Sequence, residues 1–259
     1  MESIPISRDP GVAYLLRIGD TCLVAAQRLA EWCGHAPTLE EDIALSNMAL
    51  DLVGQARAVL TLAGSRDGAS YDEDQLAFLR DERDYRNVTL VELPRGDFAR
   101  TTLRNLFLAT FLELLWQRLQ TSSDDALAGI AGKAVKEARY HREHAADWTV
   151  RLGDGTAESA RRLAAACDTL WPYAAELFED DAIDAAAEAS GLGPRWSALA
   201  ADWRASIEAV AVEATLALPA GAAFRAFRST GKAGVHSEHL GTLLATMQHL
   251  QRAHPGGVW

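Results

Sequence analysis

Polar side chains, among them carboxylates and a histidine, recur at helical spacings in two segments, a pattern that metal sites use. In the first segment, Asn47, Asp51 and Gln55 follow one another at four-residue intervals within an otherwise apolar stretch. In the second segment, Glu137 and His141 lie in a more polar stretch. A di-iron site between four helices takes a Glu-x-x-His from two of them, because residues three apart point the same way. Neither segment contains that motif.

A third helical segment contributes one carboxylate, that of Glu113, among apolar residues. A metal needs several converging ligands, and weaker or absent donors stand at the expected positions. We therefore assign no catalytic, cofactor-binding or metal-binding residue to this chain. Polar groups on such apolar helices are predicted to be buried and to hydrogen-bond one another without metal. The members of this predicted network are Asn47, Asp51, Gln55, Glu113, Glu137 and His141.

Two short segments of the form His-x-Glu-His could also point two imidazoles along one helix face. They are His141-Arg-Glu-His144 and His236-Ser-Glu-His239. No cysteine lies nearby to complete a tetrahedral zinc site. These histidines are expected at the surface or at helix caps.

The elements that must position these residues are helices, since apolar residues recur at spacings of three and four. Thr38 and Glu41 fit a capping box, and Asp97 is placed to cap another helix. Four long helices are predicted at about 12–33, 38–62, 98–119 and 124–152. Further helices are predicted at about 157–178, 182–189, 194–216 and 237–252.

A long connection, residues 65–96, joins the second and third helices. It is predicted to carry a short helix over 74–84 and an extended piece over 88–93. Four long helices with one long crossover are typical of ferritin-like folds. The predicted fold is all-α, a ferritin-like four-helix bundle with additional C-terminal helices. We expect one domain over residues 1–259, with the core bundle at about 10–152 and the C-terminal helices at about 156–253.

Composition excludes several classes of function. The formal net charge of −11 repels nucleic-acid backbones, so no nucleic-acid partner is expected. The sequence has no uninterrupted apolar run of roughly 18 residues and no signal-peptide pattern, so no membrane association is expected. Three cysteines without a C-x-x-C pair suit a reducing compartment. A cytoplasmic location follows as the expectation.

Seven segments spread over nearly the whole chain resemble the C subunits of the bacterial ring-1,2-phenylacetyl-CoA epoxidases. The most unusual of them is Glu31-Trp-Cys-Gly-His-Ala-Pro. The others are Leu16-Arg-Ile-Gly-Asp-Thr-Cys-Leu-Val, Leu50-Asp-Leu-Val-Gly-Gln-Ala-Arg, Leu79-Arg-Asp-Glu-Arg, Lys136-Glu-Ala-Arg-Tyr-His, Ala175-Glu-Leu-Phe and His236-Ser-Glu-His-Leu-Gly.

The resemblance implies a ferritin-like subunit that pairs with a homologous, catalytic A subunit holding the di-iron centre. Such a system also contains a small B subunit and a reductase with flavin and an iron–sulfur cluster. Together they insert one oxygen atom of dioxygen into the aromatic ring of phenylacetyl-CoA. This chain would then bind no cofactor itself and would bind and stabilise the catalytic partner. Whether it forms a self-dimer when alone stays open.

The resemblance also suggests which ligand positions have been lost. When this chain is aligned with the motifs of the catalytic A subunit, Leu52 stands for a glutamate and Gln55 for a histidine. In the other motif, Ala138 stands for a glutamate, while His141 is retained. The residues present give no intact di-iron site in this alignment.

A stripe of positive charge recurs every third residue of the fourth predicted helix, and it has two interpretations. One is a solvated face balanced by Glu137 and Glu143. The other is a contact for an acidic partner or for coenzyme A phosphates. The stripe consists of Lys133, Lys136, Arg139 and Arg142.

Two other functions stay open at this point. One is an autonomous metal-dependent oxygenase with an atypical site built from Asp, Glu and His residues. The other is a self-associating helical scaffold outside phenylacetate metabolism.

Overall fold

The computed structural model describes residues 3–220 and 230–257. Within these ranges the chain forms nine α-helices and no β-strand, so the all-α, ferritin-like prediction is confirmed. The helices are α1 (Pro10–Ala30), α2 (Leu39–Arg66), α3 (Glu73–Phe78), α4 (Phe98–Leu119), α5 (Asp125–Gly153), α6 (Ala157–Ala174), α7 (Ala182–Ser190), α8 (Ala200–Glu213) and α9 (Glu238–Ala253).

Side-chain caps begin the long helices. The Thr38 hydroxyl accepts a hydrogen bond from the Glu41 amide at 3.4 Å, as the capping pattern predicts. The Asp97 carboxylate accepts one from the Arg100 amide at 2.9 Å. α1 begins two residues earlier than predicted, because Asp9 caps it and Pro10 is tolerated in a first helical turn.

The described residues separate into two compact units. The first contains α1, α2, α3, the crossover and α9, and α1 packs along α2. The second contains α4 to α8, and α4 packs along α5. The expectation of one domain over the whole chain stays a prediction. None of the helices in the described ranges combines the length and the apolar character needed to cross a membrane.

The crossover between α2 and α4 differs from prediction at residues 88–93. This segment was predicted to be extended, but it contains a 3-10 turn at Thr89–Val91. Val88 and Val91 are fully buried. An apolar run of this kind does not by itself distinguish a strand from a short buried helical turn. In the structure the segment packs into the first unit as a 3-10 turn.

The helix predicted over 74–84 is also shorter than expected. α3 ends at Phe78, and a separate 3-10 turn follows at Glu82–Asp84. The break turns Arg80 into the core, where its Nε donates to the Leu76 carbonyl oxygen at 2.5 Å.

A fully buried ion pair joins α1 to this crossover. Arg80 binds both oxygens of the Asp20 carboxylate through its two terminal nitrogens, one of them at 2.9 Å, and neither side chain is exposed. The Arg86 amide donates to Asp20 at 2.8 Å, and the Arg80 guanidinium lies 4.4 Å from the centre of the Tyr85 ring. Burial alone lowers the pKa of Arg80, but the adjacent Asp20 carboxylate raises it overall. Arg80 is therefore charged inside the core.

The second unit is held by an aromatic cluster. The Trp203 indole donates to the Phe107 carbonyl oxygen at 2.8 Å, which satisfies the buried N–H. Phe107 contacts Trp171 and Trp203 edge-on, with ring centres 5.8 and 5.5 Å apart. Phe111 contacts Trp196 in the same way at 4.8 Å. These contacts join α4 to α6 and to the segment that contains α8.

Replacing Arg80 with alanine should lower the free energy of unfolding by about 3–5 kcal/mol, because the Asp20 carboxylate is left buried without its partner. Urea denaturation followed by circular dichroism measures the change. Arg57→Ala is the control, since Arg57 is exposed and pairs with Glu73 at the surface. That change should cost less than about 1 kcal/mol. Equal effects of the two substitutions would contradict a structural role for the buried pair.

Among the three thiols, only Cys33 should react quickly with a disulfide reagent such as Ellman's reagent at pH 8. Cys33 is exposed, whereas Cys22 and Cys167 are buried. Burial also raises the pKa of Cys167 to about 11, which keeps it a thiol at this pH. Cys33→Ser should remove the fast phase and Cys167→Ser should leave it. A second rapidly reacting thiol in the native protein would contradict the burial of Cys22 and Cys167.

Candidate functional site

On α2, the two residues that the resemblance aligns with metal ligands point inward. Leu52 and Gln55 are each 3% exposed. The Gln55 Oε1 atom accepts a weak hydrogen bond from the Cys22 thiol of α1, with sulfur and oxygen 3.8 Å apart. A leucine offers no donor to a metal, and a carboxamide carries no charge. This side of α2 is therefore packed as a core.

On α5, the corresponding positions are Ala138 and His141, which are 1% and 4% exposed. The His141 ring lies against the ring of the exposed Tyr140, with the centres 6.2 Å apart. Ala138 supplies only a methyl group where the motif needs a carboxylate. One buried imidazole remains from this motif.

The donor set does not fit a di-iron centre. Two of the four motif positions are apolar and a third is an uncharged amide, so the negative charge that a pair of iron ions requires is missing. Within residues 3–220 and 230–257, no three side chains of His, Cys, Asp or Glu are grouped closely enough to hold a metal ion. We derive no metal chemistry from this chain's own residues.

The predicted buried network is corrected at Asn47, which is exposed. Asn47 lies roughly 200° around the α2 axis from the buried Leu45, on a side that nothing in the first unit covers. Asp51 and Glu137 are half-buried, and Glu137 pairs with Lys133 at 3.4 Å. Gln55, Glu113 and His141 are buried as expected. From Asn47 to Gln55, the polar row on α2 thus passes from the surface into the core.

Glu113 of α4 finds its partners on α5, and they are arginines. One carboxylate oxygen accepts from Arg139 Nε at 3.0 Å, and the other from Arg142 Nε at 2.5 Å. Glu113 is 7% exposed, so the two arginines satisfy a carboxylate that would otherwise be buried and unpaired. These bonds clamp α4 to α5 within the second unit.

The clamp changes the interpretation of the basic stripe on α5. Sequence reasoning matched the stripe with Glu137 and Glu143, and both do pair with it, through Lys133 and Arg142. It missed Glu113 as the principal partner, since that residue lies on another helix. Lys136 is exposed and makes no ion pair with the residues described. The stripe as a contact for a partner or for coenzyme A stays a prediction.

The opposite side of α2 exposes four large apolar side chains. Leu39, Ile43, Leu50 and Val53 are 73%, 54%, 68% and 38% exposed. Their spacings of four, seven and three residues place them on one face of the helix, which we call the α2 apolar face. The described part of the fold therefore covers only one side of α2.

His236, like the buried His141, corrects the expectation that the histidines of the two His-x-Glu-His segments lie at the surface or at helix caps. A polar cluster surrounds His236. Its side chain is fully buried, and Nδ1 lies 2.6 Å from the Glu92 carboxylate, while Nε2 faces the Tyr85 carbonyl oxygen at 3.1 Å. Ser237, which caps α9, donates to the same carboxylate through its amide and its hydroxyl, both at 2.7 Å. Asn87 donates to it at 2.9 Å. This cluster joins the start of α9 to the crossover.

Two comparisons with known proteins identify the family of this chain. The family described as phenylacetic acid catabolic protein matches residues 2–259 of the chain. The chain is 49% identical over 247 residues to the C subunit of 1,2-phenylacetyl-CoA epoxidase from Escherichia coli (strain K12), a match that covers 95% of this chain and 98% of that protein. Because both matches cover nearly its whole length, this chain belongs to the family of phenylacetic acid catabolic proteins.

Proposed function

We propose that this chain is the non-catalytic subunit of a phenylacetyl-CoA epoxidase, which binds and stabilises a homologous catalytic subunit. The relative from Escherichia coli is named as the C subunit of that enzyme, and a subunit requires partners. The motif positions on α2 and α5 supply one imidazole and no carboxylate, so the reacting metal centre is assigned to the partner. Bound there, di-iron would supply the oxygen chemistry.

The observation that carries this proposal is the contrast between the two sides of α2. Its inner side holds Leu52 and Gln55 at ligand positions, while its outer side presents the α2 apolar face to solvent. A contiguous exposed apolar patch marks an interaction site in a soluble protein. Helix α2 has thus lost the ligands of a catalytic subunit, and it presents the surface that an assembly needs.

The size of the patch is consistent with the core of a larger interface. Burying a leucine or isoleucine side chain contributes roughly 1.5–3 kcal/mol. Association costs an estimated 4–15 kcal/mol, so the four side chains would offset much of that cost. A stable interface buries about 800 Å² on each partner. The partner is therefore expected to cover residues beyond α2 as well.

Charge on the α2 apolar face should prevent assembly without unfolding the chain. The variant Ile43→Lys/Leu50→Lys changes two side chains that are already exposed, so its melting temperature should stay within a few degrees of the wild type. Co-expression with the catalytic subunit and size-exclusion chromatography should show the wild type eluting in a complex and the variant eluting alone.

The matched control for that experiment is Val212→Lys, because Val212 is 79% exposed and lies on α8. This control should elute with the catalytic subunit. A wild-type chain that elutes apart from the catalytic subunit would contradict the proposed function. A double variant that still assembles would contradict only the assignment of the α2 apolar face.

Iron loading of the purified chain should give far fewer than the roughly two iron atoms per chain that an intact di-iron bundle holds. The reason is that three of the four motif positions are Leu52, Gln55 and Ala138. Metal analysis after desalting measures the content, and the same analysis of the complex with the catalytic subunit is the comparison. About two iron atoms bound by the chain alone would favour an autonomous metal-dependent oxygenase.

A further inference from the structure

A groove in the second unit gathers three arginines. It lies between the start of α4 and one face of α6 and has a volume of about 370 Å³. Arg100 comes from α4, and Arg161 and Arg162 come from α6. The remaining lining residues are Gly96, Asp97, Ala165, Ala166 and Thr169. We call this the arginine groove.

Arg100 is held in the groove without a partner for its buried nitrogen. Its Nε atom is buried and has no hydrogen-bond partner among the residues described. Burial lowers the pKa of Arg100, and Tyr173 and Asp97 offset that effect only in part. A guanidinium that has lost water on one side without gaining an acceptor is a group that an anion would stabilise.

Gly96 allows Arg100 to take this position. The φ of Gly96 is +67°, a backbone conformation that residues other than glycine rarely adopt. The Arg100 side chain packs over the Gly96 backbone and occupies the space that a Cβ atom at position 96 would need. The backbone turn before α4 therefore fixes the direction of Arg100.

The two arginines of α6 are oriented by one carboxylate. Glu158 accepts from Arg161 at 2.8 and 2.9 Å and from Arg162 at 2.7 Å. Those hydrogen bonds lower the pKa of the exposed Glu158 carboxyl to about 2. Exposed pairs of this kind are weak, so Glu158 orients the guanidinium groups without removing them from solvent. The Asp97 carboxylate lies 3.8 Å from Arg162. The three arginines of the groove therefore face two carboxylates, Glu158 and Asp97, and one positive charge is in excess.

We propose that the arginine groove binds the phosphate group of a phosphorylated small molecule. One guanidinium fork satisfies the two oxygens of a carboxylate, whereas three guanidinium groups on two helices match a tetrahedral anion with three or more terminal oxygens. The chain has a net charge of −11, so its overall field repels anions. The excess positive charge in the groove would attract them locally.

This site differs from the basic stripe on α5, whose two arginines are bound by Glu113. A phosphate could come from inorganic phosphate or from an ester such as coenzyme A, and both share the oxyanion that the groove would recognise. The proposal does not depend on the proposed function, since it concerns side chains of the second unit only.

Isothermal titration calorimetry of the full chain at low salt tests the proposal with three probes: inorganic phosphate, coenzyme A and 3′-dephospho-coenzyme A. The wild type should bind at least one of them, more weakly as salt is added. Arg100→Gln should weaken binding by roughly tenfold or more, because charge-assisted hydrogen bonds are lost. Arg100→Lys keeps the charge but not the fork, and should bind with intermediate affinity.

The matched control is Arg118→Gln, since Arg118 lies on the same helix α4, is 57% exposed and pairs with Asp202 outside the groove. It should bind like the wild type. Arg161→Gln/Arg162→Gln is a second variant at exposed positions and should lose affinity without unfolding. Tighter binding of coenzyme A than of its dephospho form would identify the terminal phosphate as the bound group.

Two results would overturn the proposal. One is a wild-type chain that binds none of the three probes. The other is equal binding by the wild type and Arg100→Gln when both have the same melting temperature. Neither result bears on association with a catalytic subunit, which is measured by chromatography.

Discussion

The first unit depends on the placement of charge inside its core. The Asp20–Arg80 pair requires the chain after α3 to leave the helix, so that a guanidinium can reach α1. The Glu92 carboxylate has a similar effect at the other end of the crossover, where His236 and Ser237 bind it. Because an unpaired buried charge is costly, each carboxylate restricts the path of a distant segment. A crossover with little regular structure is thereby held in one conformation.

The helices were predictable from local rules, whereas the partners of buried polar groups were not. The caps at Thr38 and Asp97 follow from residue type and spacing within a few positions. The 3-10 turn at Thr89–Val91 and the burial of His236 arise from contacts between residues far apart in the chain. Periodicity carries no information on such contacts, so the segment at 88–93 was predicted to be extended.

The candidate site also combines features that follow from residue type with features that depend on packing between distant segments. That Leu52 and Ala138 stand at ligand positions is a prediction from the resemblance, and the structure shows that both side chains are buried. The side of α2 left uncovered could not be identified, since an apolar helix surface looks the same whether it packs against its own chain or against another polypeptide. Glu113 was recognised as a buried carboxylate, but its clamp on Arg139 and Arg142 depends on the packing of α4 against α5.

The exposed side of α2 also has a consequence for the life of the polypeptide in the cell. Under the proposed function, a newly made copy would present Leu39, Ile43 and Leu50 to water until the catalytic subunit covers them, and such surfaces are bound by chaperones or aggregate. Its survival then depends on the concentration of the partner, since binding shifts the population away from states that proteases degrade. The chemistry of one helix surface would thus couple the surviving amounts of the two polypeptides.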